Sequence, residues 1–344
     1  MLGEGIDITM QIGKLTPQQL EDCVLRHRGM KRKEVLVSAE LGEDSAVVDF
    51  GDQLAFFSTD PITGATDRAG WLAVHVSAND VFSNGAEPLG CLMTILAPPS
   101  MSLEDIEQVM QDASMAAQEV GIEICGGHTE VTEAVQKLVL SATVFGSAPK
   151  ERIIRTKNAC AGDDILVTKT LGLEGTSILA RDCALSLAPF FSEEELHTMA
   201  SMIDCISVAK ESRIAKDDVH AMHDITEGGL LGALYEMAQG AGLGFAISAK
   251  GIPLHPLTAK VCAQLQIDPL RFLSSGSMLI ASPHGSELVQ RLQKAGVQAS
   301  LLGKFIEEQA YVLQHDGQTE HVLPPRGDEL WTAFARLSGE KNDV

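Results

Sequence analysis

The chain has 344 residues, of which 45% are hydrophobic and 21% are charged, and its formal net charge is −21. This composition is ordinary for a globular protein, and the length predicts roughly two domains. The excess of acidic residues repels nucleic-acid backbones, so nucleic-acid binding is not expected, and a bound nucleotide needs metal ions between its phosphates and the protein's carboxylates.

The seven cysteines include no Cys-x-x-Cys pair, so a disulfide framework and a structural zinc site are both disfavoured. The first residues lack a basic region followed by an apolar run, which disfavours a signal peptide. No apolar stretch of about 18 residues occurs, so no membrane span is expected. We therefore expect a cytoplasmic protein with no membrane partner.

Helices and strands alternate in the first half of the chain. Three helices are predicted: 16–29, with Thr16 as its cap and Pro17 in its first turn; 70–85, which is apolar on most sides; and a helix from Ser102 to about Val120, with Asp105 completing a capping box. Five strands are predicted, at Ala46–Phe50, Leu54–Ser58, Leu92–Leu96, Ile122–Cys125 and Lys137–Phe145. Gly51 and Asp52 are expected to form the turn between the first two strands.

The polar segment Ser147–Lys157 contains Pro149 and predicts a domain boundary, giving domains 1–150 and 151–344. Strands are predicted beyond it at Asp164–Thr168, Ser277–Ala281 and Ala299–Phe305, and helices after Gly172, within 193–216, at Leu230–Gln239 and at Ser286–Ala295. The alternation in both halves favours two layered α+β or α/β domains.

Acidic residues occur at the ends of apolar strands and inside an apolar helix. Asp44 precedes the first predicted strand, Asp60 follows the second, and Asn79-Asp80 interrupts the apolar helix. Carboxylates are rarely buried without a partner, and a shared Mg²⁺ would supply one. Taken singly, Asp44 and Asp60 are also explained as turn and cap residues. The polar pair in the helix is harder to explain in that way.

Two glycine-containing motifs follow. Cys125–Glu130 is interpreted as a glycine turn after a strand, whose N–H groups face phosphates. His223–Gly229 places two carboxylates and two glycines at a helix start, where anions are attracted. An ordinary turn and an ordinary capped helix are the alternatives. The sequence contains neither a Walker A motif nor a Gly-x-Gly-x-x-Gly fingerprint.

In this order, the motifs resemble those of the AIR synthase-like superfamily, which includes AIR synthase, selenophosphate synthetase, thiamine-monophosphate kinase and the hydrogenase maturation factors of the HypE type. The resemblance spans roughly residues 10–325. It is carried by Gly42–Ala46, Ser58–Asp60, Asn79-Asp80 with Gly85–Pro88, Gly126–Thr129, His223–Gly229 and Ser275–Ala281.

The resemblance implies an N-terminal sheet that pairs with that of a second subunit to form a barrel, and a C-terminal α/β layered domain. It implies ATP and Mg²⁺ as cofactors, with Asp44, Asp60 and Asp80 as metal ligands. Where the superfamily has an acidic residue this chain has His128, and Glu130 is expected to replace that ligand. The implied nucleotide contacts are Lys14, Gly42, Asp44, Ser45, Thr59, Asn79, Gly126, Gly127, His128, Thr129, Asp224, Glu227, Gly228 and Gly229.

The function implied by the resemblance is ATP-dependent phosphorylation or activation of an oxygen of an unidentified small substrate, in a homodimer. One alternative is a HypE-like paralogue that binds nucleotide and docks on a maturation partner without chemistry, and another is a thiamine-monophosphate kinase-like enzyme. Proteins of the HypE type end in Pro-Arg-Ile-Cys, whereas no cysteine follows Cys262 here. The self-modifying reaction of that terminal thiol is therefore not expected.

Overall fold

Six strands of the first half form one sheet in the computed structural model, which describes residues 13–150, 153–315, 317–325 and 327–338. Its spatial order is β1-β2-β3-β6-β4-β5, and neighbouring strands are antiparallel except for β4 and β5, which are parallel. The strands are β1 (Val35–Val37), β2 (Ala46–Asp49), β3 (Gln53–Ile62), β4 (Glu87–Ala97), β5 (Glu123–Val131) and β6 (Val139–Pro149).

One face of this first sheet is covered by helices. Alternate residues of β3 and β6 are buried, as expected when only one side of a sheet is packed. Helix α2 (Ala69–Ser83) packs on β3 and β6 and is buried at every position, which confirms the predicted buried helix. Helix α3 (Leu103–Val120) packs on α2. The opposite face of the sheet carries half-exposed and exposed side chains.

The start of α3 is fixed by the predicted capping box. The Asp105 N–H donates to Ser102 Oγ over 3.1 Å, and the Ser102 N–H donates to Asp105 Oδ2 over 2.8 Å.

Thr16 likewise caps α1 (Pro17–Leu20), but that helix is shorter than predicted, because it passes into a π-helical turn at Glu21–Leu25 and ends there. The basic residues that follow repel one another and disfavour a continued helix.

Seven strands of the second half form a second sheet, in the order β13-β12-β9-β11-β7-β10-β8. Only β9 and β12 are parallel among the paired strands of its described residues. The strands are β7 (Asp164–Thr168), β8 (Ala221–Ile225), β9 (Gly244–Ser248), β10 (Ser277–Ser282), β11 (Ala299–Ile306), β12 (Tyr311–His315) and β13 (Gln318–His321). The three predicted strands are present, whereas β8, β9, β12 and β13 were not predicted.

Helices surround this second sheet and confirm the predicted α/β layering. They are α4 (Leu173–Asp182), α5 (Ala184–Leu187), α6 (Glu193–Ser201), α7 (Ala209–Ala215), α8 (Gly229–Ala241), α9 (Pro256–Leu265), α10 (Gly285–Lys294) and α11 (Glu329–Ser338). None of the helices within the described part of the chain is both long and apolar enough to cross a bilayer.

The predicted glycine turn at Gly126-Gly127 is wrong, because both glycines lie inside β5. Gly127 has a φ of +145°, and a Cβ there would lie 1.8 Å from the carbonyl oxygen of Met93 on β4. Gly127 therefore serves the close approach of two parallel strands rather than a change of chain direction.

Polar side chains of each half donate hydrogen bonds to the backbone of the other half. The Trp71 Nε1–H donates to the Ile203 carbonyl over 3.2 Å, and the Ser212 hydroxyl donates to the Phe82 carbonyl over 2.6 Å. A single cluster of buried hydrophobic side chains also extends through both halves. The two sheets are thus held in a fixed relation, and the cleft between them has a defined shape.

Candidate functional site

A cavity of about 1020 Å³ lies where the two halves meet. The first half contributes the segment before α1, the loop before β2, the middle of β3 and one face of α2. The second half contributes α4, the end of β8 and the chain around α11. Ten of the residues predicted for the site line this cavity: Lys14, Gly42, Asp44, Ser45, Thr59, Asp60, Asp80, Asp224, Glu227 and Gly228.

Two of the predicted metal ligands meet at the Ser58 side chain. The Ser58 hydroxyl forms a short hydrogen bond with Asp80 Oδ2 and lies 3.4 Å from Asp60 Oδ2. Ser58 and Asp60 are two residues apart on β3, so both side chains point toward α2, which carries Asp80. Burial, together with the negative charge of Asp60, raises the pKa of Asp80 well above its usual value.

Asp44 is held by His223. The His223 Nδ1 lies 2.6 Å from Asp44 Oδ1, and its Nε2 lies 3.0 Å from Glu236 Oε2. Burial alone would lower the pKa of His223, but Asp44 and Glu236 outweigh it and raise that pKa. Burial also raises the pKa of Asp44 to about 7. The imidazole and the two carboxylates therefore hold a proton between them and fix the orientation of Asp44.

Several buried oxygens of this cluster have no donor. Both carboxylate oxygens of Asp224, and Oδ2 of Asp44, accept no hydrogen bond from an N–H or hydroxyl group of the described residues. Candidate ligand atoms of Asp44, His223 and Asp224 lie within 4.8 Å of one another. Hard divalent cations such as Mg²⁺ prefer carboxylate oxygens, so this donor set fits the predicted metal.

A cationic side chain stands at the edge of the cluster. The Lys14 Nζ donates to the Thr226 hydroxyl over 3.3 Å. Desolvation lowers the pKa of Lys14, but attraction by Glu236 and Glu227 outweighs it and raises that pKa. Lys14 is thus charged and stands where it can neutralise an anion that enters the cavity.

Two further polar residues of the cavity lining, Glu174 and Ser275, lie among apolar side chains. Glu174 on α4 and Ser275 are both buried, and apart from their contact with each other Glu174 Oε2 and Ser275 Oγ lack hydrogen-bond partners among the described residues. Burial raises the pKa of Glu174 to about 7. Ile178, Leu273 and Trp331 line the cavity as well.

Sequence reasoning did not place Glu174, Ser275, His223 or Glu236 among the site residues. A signal existed for Glu174, because it is the one acidic residue in an otherwise apolar or small stretch of α4, just as Asp80 is in α2. His223 belonged to a recognised motif. Glu236 offered no signal, because only the fold brings it to His223.

Asn79 does not line the cavity, contrary to its predicted role. Its Nδ2 donates to the Ile206 carbonyl over 3.0 Å, and its Oδ1 accepts the Val208 N–H over 3.0 Å. Neighbouring helical residues point about 100° apart, so Asp80 faces the cavity while Asn79 faces the second half. Asn79 therefore fixes α2 against that half.

The predicted anion site at the start of α8 is also not supported. The Gly228 N–H donates to Asp328 Oδ2 over 2.7 Å, and the Gly229 N–H donates to the Thr226 carbonyl over 3.1 Å. Both groups are therefore already bonded within the protein. Gly228 still lines the cavity, whereas Gly229 permits α8 to approach the Leu270 carbonyl.

The predicted ligands on β5 lie apart from this cavity. Gly126, Gly127, His128, Thr129 and Glu130 belong to the edge strand and are exposed. Asp60 pairs with Ala142, Ala142 with Met93, and Met93 with Gly127, so about 14 Å of sheet separates β3 from β5. Within one chain, Glu130 therefore does not join the carboxylates of the cavity, and its Oε2 instead lies 3.4 Å from His128 Nε2.

Comparison with known families gives two adjoining matches. Residues 42–148 match the AIR synthase related protein N-terminal domain, and residues 161–316 match the AIR synthase related protein C-terminal domain. The first match contains the Asp44, Asp60 and Asp80 positions, and the second contains Glu174, His223 and Asp224.

Two relatives are similar over most of their length. A Methanocaldococcus jannaschii protein named for hydrogenase expression and formation is 29% identical over 275 residues, which cover 78% of this chain and 80% of the relative. The carbamoyl dehydratase HypE of Escherichia coli is 29% identical over 283 residues, which cover 77% of this chain and 81% of HypE.

Solved structures share the two-domain fold. HypE in a complex with HypF superposes with a TM-score of 0.74 at 20% identity, over 89% of this chain and 99% of that one. AaThiL complexed with AMPPCP and TMP superposes with a TM-score of 0.72 at 20% identity, over 93% of this chain and 98% of that one. HypE in complex with ATP superposes with a TM-score of 0.70 at 22% identity, over 89% of this chain and 93% of that one. The predicted fold is thereby confirmed.

We predict that Asp80→Asn leaves the melting temperature of the metal-free protein level or raised. The native pKa of Asp80 is above its unfolded value, so its contribution to stability is lost as pH rises from about 4. Replacement removes this loss and gains about 1.4 kcal/mol for each pKa unit of the shift. Urea unfolding between pH 4 and 7 measures this gain in the free energy of unfolding, with Asp52→Asn in the exposed β2–β3 turn as the control. A fall of many degrees would show that Asp80 is purely structural.

Proposed function

The chain belongs to the AIR synthase related proteins, and we propose that it is an enzyme that uses ATP and Mg²⁺ to phosphorylate or activate an oxygen of a small substrate. The observation that carries this proposal is the group of buried carboxylates at the junction of the two halves. Asp44 and Asp224 have oxygens that accept no hydrogen bond from an N–H or hydroxyl group of the described residues, and burial together with the charge of Asp60 raises the pKa of Asp80 well above its usual value. Such an arrangement is costly unless cations enter the cavity.

The residues that would hold Mg²⁺ are Asp44, Asp60, Asp80 and Asp224. Bound Mg²⁺ would neutralise the phosphates of the nucleotide and the charge that develops during phosphoryl transfer. His223 orients Asp44 through its 2.6 Å contact. Lys14 would add one positive charge at the phosphates. This division of work matches phosphoryl transfer, in which positioning and charge neutralisation provide most of the catalysis.

The acceptor substrate would occupy the end of the cavity around Glu174 and Ser275. These two groups offer a carboxyl and a hydroxyl inside apolar walls, a pattern typical of small-molecule sites. With a pKa of about 7, Glu174 exchanges a proton near neutral pH and is suited to take the proton of an attacking hydroxyl.

A second candidate function is nucleotide-dependent docking on a maturation partner without chemistry. It is supported by the likeness to the HypE chain that was solved in a complex with HypF. A thiamine-monophosphate kinase-like activity is a third reading, which rests on the fold shared with AaThiL. Turnover separates the docking function from the two enzymatic ones, because only an enzyme converts ATP to ADP together with a phosphorylated or activated product. The identity of that product separates the two enzymatic functions.

We predict that ATP binds only in the presence of a divalent metal. The acidic cavity repels a bare triphosphate, and a cation must bridge the two. Calorimetric titration with AMPPCP in Mg²⁺ and in EDTA measures this directly. Asp60→Asn should abolish the binding in Mg²⁺, whereas Asp52→Asn should bind as the native protein does. Equal affinity in EDTA would refute the metal bridge.

We predict that Glu174→Gln keeps nucleotide binding but loses binding of the acceptor. A thermal-shift screen of small metabolites on protein already saturated with Mg²⁺ and AMPPCP identifies acceptors, since a ligand at 100 times its Kd stabilises by about 2.7 kcal/mol. Each compound found is then tested with ATP by mass spectrometry of the products. Glu194→Gln, on exposed α6, is the control. Unchanged shifts in Glu174→Gln would place the acceptor elsewhere.

We predict a homodimer in which the uncovered face of the first sheet is buried. Leu89, Leu92 and Val131 on β4 and β5 are about half exposed. Strand β5 is the edge of the sheet and pairs with β4 on one side only. Light scattering at micromolar concentration should give about twice the chain mass of 36.7 kDa. Leu92→Glu should yield a folded monomer, while Leu185→Glu, at a more exposed position in the second half, should remain dimeric. A native monomer would contradict the proposal.

A further inference from the structure

A second group of potential metal ligands lies outside the cavity. Cys160 and Asp163 belong to the loop before β7, and His220 immediately precedes β8. Candidate ligand atoms of these three residues lie within 4.8 Å of one another. None of the three lines the cavity. His220 stands four residues before Asp224, so about 13 Å of extended strand separates the two groups.

The separations within this group suit a single small cation. His220 Nδ1 lies 2.9 Å from both Oδ1 and Oδ2 of Asp163. Two ligands of a tetrahedral zinc ion, each about 2.0–2.1 Å from the metal, are about 3.3 Å apart. A cation could therefore replace the proton that Asp163 and His220 now share, with only a small widening of the pair.

The three residues are held in place by backbone hydrogen bonds. The Cys160 N–H donates to Asp163 Oδ2 over 2.8 Å, and the Asp163 N–H donates to the Cys160 carbonyl over 3.0 Å. The Asp163 carbonyl accepts from Phe305 over 3.0 Å, and the His220 N–H donates to Ala281 over 3.0 Å. Both segments are thus attached to strands of the second sheet, and ligand positions set by a rigid scaffold favour metal binding.

The group is open to solvent, and within the described part of the chain no lysine or arginine forms an ion pair with Asp163. Asp163 is buried, whereas the side chain of His220 is 41% exposed and Cys160 is exposed. The nearby ammonium of Lys304 is bound to Asp164 and to the Gly162 carbonyl. A hydrated ion can therefore reach all three ligands.

We propose that Cys160, Asp163 and His220 form a surface site for a borderline-soft divalent cation such as Zn²⁺, with its fourth position open. The thiolate and imidazole select such an ion. In the cavity the His223 imidazole contacts Asp44 and Glu236, and the carboxylate oxygens that remain suit Mg²⁺. A hydrogen bond between Asp163 and His220 needs no thiol beside it, so a purely structural role of the pair does not explain the thiol of Cys160. The absence of a Cys-x-x-Cys pair hid this site, because its ligands come from two distant segments.

The bound ion would join the chain between the two halves to β8. Cys160 and Asp163 stand at the end of the connection from the first sheet, and His220 starts the strand that carries His223 and Asp224. The site therefore contributes to the stability of the second half and does not depend on the proposed phosphoryl transfer.

The test is a Co²⁺ titration of the reduced, EDTA-treated full-length protein in excess Mg²⁺. One equivalent should produce the near-ultraviolet thiolate-to-cobalt charge-transfer band, which Zn²⁺ then removes, and the melting temperature should rise. Cys160→Ser should lose the band, and His220→Ala should weaken Co²⁺ binding by about 10- to 100-fold. Cys205→Ser, which removes another exposed thiol, should leave the titration unchanged.

Because the band reports a thiolate ligand, Co²⁺ held by carboxylates of the cavity does not mimic it. Absence of the band in the native protein, or its survival in Cys160→Ser, would overturn the proposal. The same holds if His220→Ala binds Co²⁺ as tightly as the native protein. Cys160→Ser changes one exposed atom and should fold normally, so its result stays decisive even if His220→Ala is unstable.

Discussion

Mutual repulsion among buried carboxylates is the constraint on which the rest of this structure depends. The first half contributes Asp44 and Asp80, with the half-buried Asp60 beside them, and the second contributes Asp224. Removing such groups from water costs several kcal/mol each unless a partner compensates. In the structure the compensation is partial: Asp80 tends to hold a proton, and His223 neutralises Asp44. The proposed cations would complete it, and cation binding and the native arrangement would then stabilise each other.

Because the carboxylates come from both halves, their spacing is only as accurate as the junction between the halves. Asn79 shows how that accuracy is achieved. Its amide is bonded on both sides to the 206–208 segment, one residue away from Asp80 on the same helix. The loop that carries Asp44 is held as well, since Arg155 lies 2.8 Å from Glu43 and 3.0 Å from Glu40. Asn79 and Arg155, which do not line the cavity, thus help to determine the spacing of its carboxylates.

Sequence reasoning succeeded where the signal was local. The apolar pattern of α2, the Ser102 capping box and the lone acid at Asp80 each follow from nearby residues, and all are present in the structure. It failed where the cause lies across the fold. Gly127 resembles a turn residue until β4 is placed beside it, and residues 128–130 then follow the edge strand away from the cavity. Glu236 reaches His223 only through the packing of α8 against β8.

The two proposed cation sites illustrate how one acidic chain can separate its metals. A net charge of −21 attracts every divalent ion, so charge alone cannot discriminate among them. Ligand chemistry can: the cavity presents oxygens to an ion that also bridges phosphates, whereas Cys160 and His220 present sulfur and nitrogen at the surface. Under the two proposals, a soft ion would prefer the sulfur and nitrogen of the surface site to the carboxylates of the cavity. The acidity needed to gather Mg²⁺ for the nucleotide is then compatible with selectivity at the reacting centre.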